Sequence, residues 1–225
     1  MYPHRSWETR FSNRAQAGRL LASRLLQYEG RDDVVVLALP RGGVPVAAEV
    51  ASTLRVPLDV FVVRKLGVPY QPELAMGAIA SGGVRVLNAD IIKVFGIPDE
   101  VLEQITYRER QELERRERAY RAGRPQVALA SQQVILVDDG LATGSTMRAA
   151  VTAIRDLRPS KVIVAVPVGA PETCRELATI ADEVVCVETP EPLESVGRWY
   201  RDFSQTTDDE VRDALRPTEA PGGDG

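Results

Sequence analysis

Residues 134–146 read Val-Ile-Leu-Val-Asp-Asp-Gly-Leu-Ala-Thr-Gly-Ser-Thr. The β-branched and Leu content of Val134 to Val137 is that of a strand buried on both faces, as in a parallel sheet. Asp138 and Asp139 follow at its carboxyl end, where open α/β sheets place their ligands. The turn through Ala142, Thr143, Gly144, Ser145 and Thr146 then brings backbone N–H groups and hydroxyls to the start of a helix expected near Met147. A helix N-terminus carries unpaired N–H groups and about half a positive charge, so this turn suits a phosphate. Acids suited to a diol beside a phosphate-binding turn imply a ribose 5-phosphate ligand. The competing reading is a plain buried strand ending in exposed acids, and a receiver domain also has paired acids at a strand end. The small, hydroxyl-rich turn at this offset separates the two.

Strand and helix patterns extend from this segment in both directions. Upstream, Ser12 or Asn13 can cap a helix running to about Tyr28, ended by Gly30. Val34 to Leu39 reads as a buried strand, followed by Pro40-Arg41-Gly42-Gly43 and a helix from about Pro45 to Leu54. A second buried strand from Leu58 to Val63 leads directly into Arg64-Lys65-Leu66-Gly67-Val68-Pro69. Ala75 to Ala80 and Val84 to Asn88 flank Ser81-Gly82-Gly83, the pattern of a β-hairpin outside the main sheet. A charged helix is expected from Pro98 to about Ala122. Its i,i+4 pairs Glu112 with Arg116, Glu114 with Arg118 and Glu117 with Arg121 each contribute about 0.2–0.5 kcal/mol. Its arginines read as a solvated face, with specific anion binding as the other reading.

Downstream come a helix from about Met147 to Leu157, a strand at Val162 to Val166, a helix from Pro171 to Ile180 and a strand at Val184 to Val187. Residues 190–216 hold Trp199, Tyr200 and Phe203 and a short helix. This alternation predicts an α/β fold, a central five-stranded parallel sheet with helices on both faces plus a small hairpin. A single domain is expected over residues 1–216, opening with a loose leader over residues 1–10. Residues 217–225 read as a disordered tail.

The chain of 225 residues is long enough for one well-filled α/β core. Its 44% hydrophobic and 27% charged residues are ordinary for a soluble protein. No apolar run suits a bilayer and no signal-peptide pattern opens the chain, so a cytoplasmic location is the default and no membrane partner is expected. A net charge of −4 makes nucleic acid an unfavoured partner. His4, the only histidine, falls in the leader, which excludes histidine triads and histidine metal cages. Cys174 and Cys186 match no zinc or redox spacing and read as buried, inert thiols.

The 134–146 segment resembles the signature of the type I phosphoribosyltransferases, which use 5-phosphoribosyl 1-pyrophosphate (PRPP). The resemblance implies that Asp138 and Asp139 hold the two ribose hydroxyls and that residues 142–146 hold the 5-phosphate. Val36 to Gly43 is similar to the family's pyrophosphate loop, which implies pyrophosphate binding by Pro40, Arg41, Gly42 and Gly43 and a cis peptide at Arg41–Gly42. A simple strand-to-helix turn is the plainer reading of that loop. Arg64 and Lys65 resemble part of an Arg-Lys-x-Gly-x-x-Pro stretch of adenine phosphoribosyltransferases, one residue shorter here. They are candidates for stabilising the leaving pyrophosphate, or a solvated cationic pair. Glu73 is the candidate acid/base.

A hood over the acceptor is expected from residues of about 70–96 and 188–205. Trp199, Tyr200 and Phe203 are there either to stack on a planar base or to pack the core. Mg²⁺ would arrive with PRPP, touched by Asp138 or Asp139 through water. Ala142 stands where hypoxanthine-guanine enzymes place an aspartate, and the signature is closest to that of adenine enzymes. The implied activity is phosphoribosyl transfer from PRPP to a nitrogenous base, as in nucleotide salvage, by a homodimer. The alternative is a PRPP-sensing regulatory protein without transferase activity; hydrolysis on the same fold ranks third.

Overall fold

Val34–Ala38 (β1) and Gln133–Val137 (β6) lie side by side at the centre of the molecule, and their apolar runs explain why. In a parallel pair with helices on both sides neither strand has a solvent face, and all of β1 is buried. The computed structural model describes residues 11–216. The expected leader, His4 and the tail of residues 217–225 lie outside the described residues. Five parallel strands, β2 (Leu58–Val60), β1, β6, β7 (Lys161–Val168) and β8 (Glu183–Glu188), form one sheet in that spatial order. The expected five-stranded α/β architecture is what the structure shows.

Alternate residues of each strand point to opposite layers. Val34, Val36, Ala38, Ile135 and Val137 pack with helix α2 (Gly43–Leu54). Val35, Leu37, Val134 and Leu136 pack with helix α5 (Ser145–Asp156). Each of the Val, Leu and Ile side chains, fully buried, contributes about 1.5–3 kcal/mol. Because α2 follows β1 and α5 follows β6, helices leave these adjacent strands on opposite faces. A crevice therefore opens between the two turns, the place where doubly wound sheets receive ligands.

Helix α1 (Arg14–Ala22) is capped by Asn13, whose side chain accepts from Gln16 N at 2.9 Å. It stops well short of Tyr28, and Leu26–Tyr28 form a separate 3₁₀ turn. The cause is tertiary: the Tyr28 hydroxyl donates to Glu183, and Lys161 Nζ donates to it in turn.

The expected strand from Leu58 to Val63 is broken in two. Phe61 N still donates to Ala38 O at 2.9 Å, but Val62 N turns to Ser81 Oγ, also at 2.9 Å. That exchange of partners moves the chain out of the parallel sheet. Val63–Val68 (β3) then pairs with Gln71–Ala80 (β4), which pairs with Val84–Leu87 (β5), in a separate three-stranded antiparallel sheet. The hairpin is thus present with a third strand added, and Arg64 and Lys65 lie within β3 rather than at the exit of a sheet strand.

A short helix that the sequence reading did not anticipate, α3 (Ala89–Val94), is capped by Asn88. The charged helix α4 (Asp99–Arg121) forms all three anticipated i,i+4 pairs. Its last arginine, Arg121, is buried against Asp59 at 3.0 Å. Helices α6 (Pro171–Leu177) and α7 (Asp208–Ala214) complete the chain.

Candidate active site

Asp138 and Asp139 leave β6 into the crevice. Asp138 Oδ1 accepts from Asp139 N at 2.8 Å. Asp139 Oδ2 receives Arg14 Nε at 2.9 Å and Nη2 at 2.8 Å. The same guanidinium donates through Nη1 to Ser204 O at 2.7 Å and lies 3.9 Å from the centroid of the Phe203 ring. Desolvation by the surrounding protein raises the pKa of both acids above the ordinary carboxylate range. Repulsion from Asp139 adds to the effect at Asp138, whereas Arg14 opposes it at Asp139.

The turn beyond the acids is braced from α6 and β7. Leu141 N donates to Val168 O and Ala170 N to Leu141 O, each at 2.9 Å. Thr173 Oγ1 donates to Ala142 O at 2.7 Å. Gly144, at φ 66°, is the residue before α5; a Cβ there would lie 2.5 Å from Thr173 Cγ2. Both the left-handed backbone and the close approach call for glycine. Ala142, Thr143, Ser145 and Thr146 are exposed around it, with Thr143 Oγ1 and Ser145 Oγ 3.2 Å apart. The exposed residues and the N-terminus of α5 form an anion-receptive turn.

The loop after β1 packs directly on the acids. A Cβ on Gly42 would sit 2.2 Å from Asp139 Oδ2, and one on Gly43 would sit 2.7 Å from Val137 O. At Gly43 the backbone leaves no room for a side chain, and at Gly42 a Cβ would have to displace the Asp139 carboxylate. The cis peptide is Pro40–Arg41, one bond earlier than expected. Gly42, at φ −59° and ψ −35°, already has the backbone of the helix it precedes. Arg41 Nη1 lies 3.5 Å from Asp208 Oδ1 on α7.

The remaining sequence candidates are distributed differently. Arg64 gives Nε and Nη2 to Glu109 Oε2 of α4 at 2.9 and 2.6 Å. Lys65 is exposed, paired in register with Ala78, and Glu73 lies in β4. Tyr200 is 4% exposed, its ring 5.4 Å from Phe11 and 5.1 Å from Phe203, and its hydroxyl donates to Asp139 O at 2.6 Å. It buttresses the acids and offers no open face, because the ring fills the space beneath them. Trp199 is half-buried against the same small core, while Phe203 stays partly open to solvent.

The profile of the phosphoribosyl transferase domain matches residues 70–198. The chain belongs to this family. Two Mycobacterium tuberculosis proteins, from strains CDC 1551 / Oshkosh and ATCC 25618 / H37Rv, are provisionally named phosphoribosyl transferases. Each is 50% identical over 201 residues, 89% of this chain and 45% of its own length. The chain thus spans about half the length of these relatives. The crystal structure of TT1426 from Thermus thermophilus is 43% identical, covering 92% of this chain and 97% of its own, with a TM-score of 0.82.

The matched region holds the acids and the anion-receptive turn, but not the glycine loop at 40–43. Arg14, on the other side of the carboxylates, also lies outside it and escapes a reading of the sequence. One cation in an amphipathic helix carries no local mark of a partner 125 residues away. Glu109 and Asp208, which hold Arg64 and Arg41, are hidden likewise among many surface acids. Among the described residues, no helix is long and apolar enough to cross a membrane.

Proposed function

We propose that the chain transfers the 5-phosphoribosyl group of PRPP to a nitrogenous base, with release of pyrophosphate. The observation that carries this reading is the packing of the glycine loop on Asp139, beside the phosphate turn, at the ends of two adjacent strands. Diol, 5-phosphate and pyrophosphate would each meet a matching group within one crevice. In this reading Asp138 and Asp139 accept from the ribose hydroxyls. Residues 142–146 donate to the 5-phosphate, and residues 40–43 hold the pyrophosphate.

As the glycosidic bond breaks, positive charge grows on the sugar and negative charge on pyrophosphate. Arg64 and Lys65 would offset the latter, Arg64 by exchanging Glu109 for the phosphate oxygens. Glu73 on β4 is the candidate for moving a proton at the base. Phe203, with Arg14 across one face, is the aromatic best placed to bound an acceptor. The hood would exclude water from the oxocarbenium-like centre.

Among the described residues no group of three or more His, Cys, Asp or Glu side chains could hold a metal. The two acids are nevertheless oxygen donors of the kind Mg²⁺ accepts, and they would reach an ion carried by PRPP through water. Bound there, Mg²⁺ would neutralise pyrophosphate charge. Ala142 cannot exchange a proton, which makes adenine the first choice among natural purines.

The test is incubation of purified protein with Mg²⁺, PRPP and a panel of bases, following pyrophosphate and nucleotide. Formation of both supports transfer. PRPP binding without turnover of any base would favour a sensor, and absence of PRPP binding would overturn the site assignment.

A further inference from the structure

Cys174 on α6 and Cys186 on β8 lie against the same glycine, outside the crevice. A Cβ built on Gly169 would be 2.8 Å from Cys174 Sγ and 3.3 Å from Cys186 Sγ, so both sulfurs converge on one point. Cys186 Sγ donates to Glu188 O at 3.1 Å. Both cysteines are half-buried and unlinked. They are neighbouring, half-buried thiols at the junction of two elements.

We propose that Cys174 and Cys186 form a reactive dithiol site that low-molecular-weight disulfides convert to an intramolecular disulfide, and that this bond loosens the phosphate turn. In the first step the Cys174 thiolate attacks one sulfur of the small disulfide, breaking its S–S bond and releasing one thiol. Cys186 then loses its proton to solvent and attacks the Cys174 sulfur, expelling the second thiol. Two protein thiols are oxidised while one small disulfide is reduced to two thiols. The roles are asymmetric. The neighbouring Cys186 thiol holds the Cys174 thiol down at about 7, close to the optimum for an attacking thiol at neutral pH. The neighbouring Cys174, and then burial, raises Cys186.

The connection to the turn is short. Cys174 follows Thr173, whose hydroxyl donates to Ala142 O at 2.7 Å and whose methyl group lies over Gly144. Gly169, between the sulfurs, bridges to Leu141 on the other side. Drawing Cys174 onto Cys186 displaces the first turn of α6 and with it the support of residues 142–144. This second half of the inference rests on the PRPP reading; the first does not.

The experiment treats the full chain with oxidised glutathione and follows peptide masses, then titrates PRPP into oxidised and reduced protein by calorimetry. Expected are a Cys174–Cys186 linked peptide with two hydrogens lost and no glutathione retained, and arrest of Cys186→Ser at a Cys174 mixed disulfide. PRPP affinity should fall about tenfold on oxidation, the loss of roughly one hydrogen bond to a charged group, and return with dithiothreitol. Unmodified thiols, or glutathione persisting on wild-type Cys174, would overturn the dithiol site. Equal PRPP affinity of the two forms would overturn its coupling to the turn. A reduced protein that binds no PRPP, yet forms the linked peptide, would sink the PRPP reading and the coupling while leaving the dithiol standing.

Discussion

The two sides of the crevice are built from different materials. On one side, residues 142–146 and 40–43 present mostly backbone, set by adjacent strands and by glycines packed closely on their neighbours. On the other, Arg14, Tyr200 and Phe203 meet at Asp139 as side chains from opposite ends of the described chain. A backbone-built surface is rigid and indifferent to most substitutions around it, so it suits the invariant part of a ligand. A surface built from side chains can be remodelled one residue at a time, so it suits the part that differs between related proteins.

The largest expected effect tests the rigid side at the acids. Replacing Asp138 and Asp139 together by Asn should lower PRPP affinity by about 10² to 10⁴, two charge-assisted hydrogen bonds being lost. Calorimetry on folded protein decides it, and unchanged affinity would remove the sugar site. Gly42→Ala should follow, with a loss of about ten- to a hundredfold in PRPP affinity. Its Cβ would push aside the Asp139 carboxylate, and a hydrogen bond from the ligand to that charged group is worth about 1.5–3 kcal/mol. On the adjustable side, Phe203→Ala should raise the KM for the acceptor by about two- to tenfold while PRPP affinity stays constant. Equal changes in both would place Phe203 on the sugar side of the comparison.

Two smaller effects concern stability. The pKa of Asp138 is raised in the folded protein, so the fold binds this proton more readily than the unfolded chain does. Its ionisation therefore weakens the fold as pH rises through the raised value, and the penalty disappears as pH falls below the ordinary aspartate range. Asp138→Asn alone, which keeps an oxygen to accept from Asp139 N, should have a higher Tm than the wild type at about pH 8. That gap should close toward about pH 3. A gap independent of pH would show that desolvation of the charge is not its source. Tyr200→Phe removes the donor to Asp139 O and should cost about 0.5–1.5 kcal/mol in denaturant unfolding, with little change in PRPP affinity.

The same contrast governs what the sequence alone reveals. The parallel sheet, and the placing of two acids and a small hydroxyl-rich turn at the end of one of its strands, are legible because a buried strand, its end and the following turn occupy consecutive residues. The glycine loop is legible for the same reason, although its cis bond lies one position earlier than the resemblance implies. The break after Val60 is not legible, because Phe61, Val62 and Val63 continue the apolar pattern while the change of sheet depends on the remote Ser81. The early end of α1 is hidden because the partners of Tyr28 are on β7 and β8. Arg14 leaves no trace, and Tyr200 resembles a stacking surface because aromatic content does not reveal which ring is covered.

The position of β1 between β2 and β6 bears on how the molecule can be divided. A fragment cut at residues 70 and 198, the limits of the family match, would keep the acids and the turn. It would lose β1, β2 and α2, baring one edge of β6 with its row of unpaired N–H and C=O groups, the kind of edge that recruits other chains into aggregates. Recognition of the sequence and independence of folding thus follow different borders, and dissecting this molecule by the first would expose the strand on which the second depends.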